Sequence, residues 1–367
     1  MFADRLSRLS KLLQAAGLDA LVLNPGPSQV YLTGLHFHLS ERPYVMIFVP
    51  GQQPALILPE LEVIKAKASS VSFKLFVYTD NPATWGAAFD QACQAAALNG
   101  KRVGVEPNTL RVMELRYLEA GAPEARFDSA AAILASLRMA KDPSEVDAMR
   151  KAVDVAQRGL QATLPVIHAG VTEREVAAEL TMQLLRAGTD SSMPFSPIVA
   201  GGPNSANPHA LPTDRALAQG DFLVIDWGAS VDGYCSDLTR NFAIGRAAAE
   251  LANIARVVLA ANTAGRAAGR PGLPAGQVDH AARAVIEQAG YGAFFTHRVG
   301  HGLGMEGHEE PYMFGENPLA LAAGMTYTVE PGIYLPGRGG VRIEDDVVVT
   351  ADGSDSLSDY PRDLVIL

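Results

Sequence analysis

Apolar residues change their spacing from segment to segment along this chain, and the spacing predicts the element. Leu6, Leu9, Leu12 and Leu13 share one face of a first helix that runs to Gly17. Short continuous apolar runs follow: "DALVLN", "YVMIFVP", "PALILP" and "SFKLFVYT". Runs of that length bounded by polar residues read as buried strands. A helix around 84–97 and the strand "RVGV" after Gly100 continue the alternation. Strands alternating with helices predict a mixed or parallel sheet covered on its faces. Residues 1–138 therefore read as an α/β domain.

A second domain is expected over 139–367. Asp142-Pro143-Ser144-Glu145 has the form of a helix start: an acid to cap, proline at the first position and Glu three residues after the cap. Val146, Met149, Val153, Ala156 and Leu160 then form one stripe. Thr172-Glu173-Arg174-Glu175 opens another helix, which stops at Gly188. Apparent strands carrying Asp226 and Asp237 come next. The order repeats, with helices at about 247–268 and 275–290 and then strands carrying Glu330 and Glu344. Two such halves predict a pseudo-symmetric α+β domain with the acids between them.

Composition narrows the partners. The 367 residues are 48% hydrophobic and 19% charged, as a globular chain requires, with a formal charge of −10. That sign argues against a nucleic-acid partner. Two cysteines, Cys93 and Cys235, make no disulfide framework, so a reducing, cytoplasmic setting is expected. The first residues lack the apolar core of a signal peptide, and no run reaches the ~18 residues of a membrane span.

Candidate chemistry sits in five local sentences. Asp226 ends "FLVID", Asp237 stands in "YCSDLTRNF", His301 lies between glycines in "VGHGLG", Glu330 follows "MTYTV" and Glu344 leads into "VVVT". A carboxylate in an apolar strand costs several kcal/mol unless paired or metal-bound. Four carboxylates and a neutral imidazole carry about −4, which balances two divalent cations. Oxygen-rich ligation favours Mn²⁺, with Co²⁺, Fe²⁺ or Zn²⁺ as alternatives. His209 in "NPHALPTD" and His308 in "GHEEP" are placed near the chemistry, whereas His36 and His38 read as an exposed loop. Cys235 reads as a small buried neighbour of Asp237. Thr239 reads either as a hydrogen-bonding partner of a ligand or as a β-branched strand residue. Gly302–Gly307 matches G-x-G-x-x-G, but Pro311 and Pro318 leave no room for the helix that a dinucleotide site needs.

Over nearly its whole length the chain resembles the creatinase/prolidase/methionine-aminopeptidase superfamily, and most of all its proline-specific branch. The segments that carry this are "LDALVLNPGPSQVYLTGL", "RMAKDPSEVDAMRKA", "WGASVDGYCSDLTRNF", "HRVGHGLGMEGHEEPY" and "VEPGIYLPGRGGVRIEDD". The resemblance implies a creatinase-like α/β N-terminal domain ahead of a pita-bread catalytic domain with pseudo-two-fold symmetry. It implies two metals on Asp226, Asp237, His301, Glu330 and Glu344, and a water activated between them. Glu330 would then be the general acid–base, while His209, His308 and Arg342 would meet the substrate. The expected activity is hydrolysis of the bond between an N-terminal residue and proline in di- or short peptides, by a homodimer in which His38 and Arg42 border the partner's site. The intact ligand set argues against creatinase itself. It also argues against one rival reading, a non-catalytic binding protein; a second rival, another metal-dependent reaction on a small metabolite, is separated from the first reading by activity on Xaa-Pro peptides. One departure stands out. Many dipeptidases of this type carry arginine after "HEEP", where it binds the free carboxylate; this chain has Tyr312. Dipeptidase and aminopeptidase readings therefore both stay open, with Phe195, Tyr312 and Tyr334 as candidates for the proline-ring pocket.

Overall fold

The apolar runs of the first unit pair into one six-stranded sheet. Its order is Lys74–Tyr78, Ala55–Pro59, Val45–Phe48, Ala20–Leu23, Arg102–Val105, Arg126–Ser129. The three central neighbours, from Ala55–Pro59 to Ala20–Leu23, are antiparallel and the outer pairings are parallel, so the sheet is mixed. Val22, Ile47, Ile57 and Val103 pack beneath the helix Trp85–Ala95, which contributes Phe89, Ala92 and Cys93. This computed structural model describes residues 2–367 and divides into two units, 1–138 and 139–367.

The second unit begins with the helix Pro143–Thr163. Asp142 caps it by accepting from the Glu145 backbone, and Glu145 reaches back to the Asp142 N–H. Thr172 and Glu175 repeat that capping box on the helix Glu173–Ala187. The two helices pack closely because residue 159 is glycine: a Cβ there would lie 2.6 Å from Leu184 Cδ2. Beneath them lies a four-stranded sheet ordered Val365–Ile366, Leu238–Ala243, Phe222–Trp227, Ile198–Gly201. The second half follows the same plan. The helices Ala249–Ala268 and Gly276–Gln288 cover a sheet ordered Glu309–Tyr312, His301–Gly302, Thr326–Val329, Asp345–Val349, Ser354–Ser356. Here Gly265 is the close-approach residue, since a Cβ would meet Val329 Cγ1 at 2.8 Å.

Each half has its own apolar core. The two sheets meet at one antiparallel bridge, Thr239 to Glu344. Arg240 fastens that seam. Its buried guanidinium donates to the Glu344 carbonyl at 2.7 Å, to Asp345 Oδ1 at 2.7 Å and to the Pro361 carbonyl at 2.9 Å. Asp345 is fully buried and also accepts from Arg266 and Ser358. No described helix is long and apolar enough to cross a membrane.

Candidate functional site

The period of two along a strand decides where the acids point. In Phe222–Trp227, Leu223, Ile225 and Trp227 enter the first-half core, so Asp226 faces the other way. Leu238 and Phe242 enter the same core, which leaves Asp237 and Thr239 on the side of Asp226. Tyr327 and Val329 enter the second-half core, leaving Thr328 and Glu330 on the opposite face. Ile343 and Val347 do likewise beside Glu344. The seam between the sheets then brings all four acids together with His301.

The donor atoms converge. Asp226, Asp237 and Glu344 form one group, His301, Glu330 and Glu344 a second, and Asp237, His301 and His308 a third. Within each group the ligand atoms lie within 4.8 Å of one another. His301 Nε2 is 3.3 Å from Glu330 Oε1 and 3.8 Å from Asp237 Oδ2. Its Nδ1 lies 3.1 Å from the Gly302 carbonyl. A carbonyl only accepts, so the proton sits on Nδ1 and the Nε2 lone pair faces the acids. Burial, aided by His308, pulls the His301 pKa down to about 3, keeping the ring neutral.

Burial and mutual repulsion raise the acids. Asp237 goes well above the carboxylate range through burial first, then the charges of Glu344 and Asp226. Glu344 does so through burial and then Glu330 and Asp226. Burial pushes Glu330 up to about 7 against the pull of Arg342. Asp226 is raised by burial despite Arg342, and its Oδ1 is buried without a hydrogen-bond partner among the described residues. Acids that repel one another around an unsatisfied inward oxygen are a donor set that divalent cations satisfy.

Arg342 is the internal counter-charge. It donates to Asp226 Oδ2 at 2.5 Å, Thr239 Oγ1 at 3.1 Å, the Tyr334 hydroxyl at 3.1 Å and the Pro208 carbonyl at 3.2 Å. Thr239 Oγ1 itself donates a hydrogen bond to Glu344 Oε2 at 2.6 Å, so it is a hydrogen-bonding partner of an acid as well as a strand residue. Tyr334 in turn reaches His297 Nε2 at 3.0 Å, while His297 Nδ1 faces the Arg298 carbonyl at 2.8 Å. Burial opposes the Arg342 charge, yet Tyr334, Asp226, Glu344 and Glu330 hold it protonated.

The four acids, His301 and Arg342 line a cavity of about 630 Å³ with His209, His297, Arg298, His308 and Phe195. His308 stacks on His301 with ring centroids 3.6 Å apart. His209 stands on the loop 202–213. That loop is tied to buried Glu173, whose carboxylate accepts from the Gly201 N–H, Asn204 Nδ2, the Thr213 N–H and Thr213 Oγ1. Tyr312, expected to meet substrate, stands one layer back. It pairs with His301 across the strands, and its ring lies under the Arg298 guanidinium, 4.2 Å from centroid to Cζ. Tyr334 is likewise buried behind Arg342 and is not among the lining residues. His297, Arg298, Thr328 and Glu173 were not singled out from sequence. The first two stand in "HRVGH", within four residues of His301, and that proximity is the signal that could have found them. Cys235 is buried with its Sγ 3.6 Å from Ser230 Oγ. Gly302–Gly307 leads into a strand, not a helix.

Comparison with known proteins finds a family match in each part of the chain. The model of metallopeptidase family M24 matches residues 147–351, and that of the creatinase/prolidase N-terminal domain matches residues 5–140. The chain is 36% identical over 364 residues to a putative dipeptidase, YkvY, of Bacillus subtilis (strain 168), covering 99% of this chain and 100% of that one. The crystal structure of a dipeptidase from Pyrococcus horikoshii OT3 superposes with a TM-score of 0.93 at 36% identity, covering 99% and 100% of the two chains. A recombinant prolidase from Thermococcus sibiricus superposes with a TM-score of 0.94 at 31% identity, covering 100% and 99%.

Proposed function

Because the chain belongs to metallopeptidase family M24, we propose that it is a two-metal exopeptidase that cleaves the bond between an N-terminal residue and proline. The observation that carries this reading is the convergence of four acids and one neutral histidine in a cavity that also holds His209, His308 and Arg342. Asp226, Asp237, His301, Glu330 and Glu344 would hold the ions, with Mn²⁺ favoured by the oxygen-rich donors. When bound, two divalent cations supply the charge that brings the pKa of a water toward neutrality and polarises the scissile carbonyl.

The protein's own groups do the rest. Glu330 has the most open side chain of the four acids, 16% exposed against 11% for Asp226, 6% for Asp237 and 2% for Glu344. It is therefore the acid best able to accept a proton from water and return it to the proline nitrogen as the amine leaves. Thr328 Oγ1 fixes its Oε1 at 3.3 Å. His308 is kept neutral, its pKa lowered by burial and by the nearby Arg298 and His209 charges. A neutral imidazole in that position donates a hydrogen bond to the oxygen that becomes negative. His209 holds the proline end, and Arg342 holds Asp226 in place. Proline fits such a site because its nitrogen has no proton to satisfy.

The test is hydrolysis of Ala-Pro and Ala-Pro-Ala by chelator-treated protein reloaded with Mn²⁺, Co²⁺ or Zn²⁺. Cleavage after reloading and none before is the expected result. Protein that takes up metal yet cleaves neither peptide would be a binding protein on this fold.

A further inference from the structure

We propose that Arg298 binds the free carboxylate of a dipeptide substrate and so sets the peptide length this enzyme accepts. The inference rests on the Xaa-Pro reading above.

Arg298 is half-buried and lines the cavity that holds the acid cluster. Arg240, Arg283 and Arg342 of the same unit all pair with carboxylates. Arg298 has no such partner among the described residues; its side-chain contact is the face of Tyr312. Stacking uses the face of a guanidinium and leaves its N–H edge free, the edge that binds a carboxylate in a two-point fork. The mount is rigid. Arg283 donates to the carbonyls of Phe295 and His297, and Asp279 accepts from the Val299 N–H at 2.9 Å. His297 holds the Arg298 carbonyl. A dipeptide entering here carries an amine and a carboxylate. Two bound divalent ions would balance the four acids, and the unpaired Arg298 cation attracts the carboxylate. A longer peptide would place a neutral amide opposite Arg298 and leave the guanidinium unmatched. Tyr312 acts indirectly, as the platform that orients the fork.

Kinetics of the metal-loaded protein on Ala-Pro, Ala-Pro-amide and Ala-Pro-Ala test this. Arg298→Met should raise KM for Ala-Pro roughly tenfold to hundredfold, the range for losing a hydrogen bond to a charged group, with far less change in kcat. KM for Ala-Pro-amide should barely move, and Arg298→Lys should recover part of the loss. Tyr312→Leu removes the platform without the charge and should raise KM for Ala-Pro by a smaller factor. Equal effects on Ala-Pro and its amide, or an unchanged KM for Ala-Pro, would overturn the role of Arg298 while leaving the peptidase reading intact. If the wild type cleaves none of the three, that reading fails and this inference goes with it.

Discussion

At the scale of single residues, the site as proposed separates groups that hold charge from groups that donate a hydrogen bond to the reacting oxygen. His308 belongs to the second kind. His308→Ala should keep its full metal content and lose roughly a hundredfold or more of kcat, the usual effect of deleting a donor to a developing oxyanion. Metal analysis beside turnover checks this, and unchanged turnover would remove His308 from the reaction. His297 gives a pH signature instead. Burial pulls its pKa from 6.5 to about 4. Between those values the unfolded chain binds a proton that the folded chain refuses, so stability rises with pH across that window and is complete above it. Denaturation midpoints of His297→Gln should lose much of this slope, a contribution of up to about 3 kcal/mol. Four of the five ligand candidates were legible because each borders an apolar run or sits between glycines; Asp237, in "YCSDLTRNF", has neither mark and is picked out by the resemblance. Arg298 was not, because its meaning depends on Tyr312, fourteen residues away along the chain and brought beneath it only by the folding of the second sheet.

At the scale of elements, the site depends on a seam and a loop. The seam is the bridge between Thr239 and Glu344, fastened by Arg240 and Asp345. Asp345→Ala would leave buried Arg240 and half-buried Arg266 facing an empty carboxylate position. It should cost about 3–5 kcal/mol in denaturant titration, as removal of one partner of a buried ion pair does. A change within the noise of a surface substitution would show that the seam is held by packing alone. The loop is 202–213, hung from Glu173. Glu173→Gln turns an all-acceptor group into one that also presents donors to donors. The expected result is a loss of about 1–3 kcal/mol of stability and a lower kcat/KM with unchanged metal content, because His209 rides on that loop. Helices with full capping signals were readable almost to the residue, as with Pro143–Thr163 and Glu173–Ala187. The helix Val112–Gly121 was not. It has no side-chain cap, and it buries only Glu114 and Leu118, one of them charged. Nor was the helix Ala131–Arg138 read; only three of its eight residues are buried, one of them Arg138.

At the scale of the molecule, each unit has its own apolar core. The two tryptophans divide between them, Trp85 in the first and Trp227 in the second. Single-tryptophan variants Trp227→Phe and Trp85→Phe therefore report on one unit each. Chelation should lower the unfolding transition seen by Trp227 and leave that of Trp85 in place. Metal at a hundredfold excess over Kd would restore about 2.7 kcal/mol by mass action. A common shift in both reporters would sink the expectation of independent units. The acid-rich donor set reaches beyond the reaction as well. Sites of oxygen and imidazole bind copper, nickel and zinc more tightly than manganese whatever ion the chemistry needs. The ion that binds hardest need not be the one that works. Under the two-metal reading, the activity of a preparation would then follow the ions it was offered. Two preparations with one sequence can differ in activity as two alleles would.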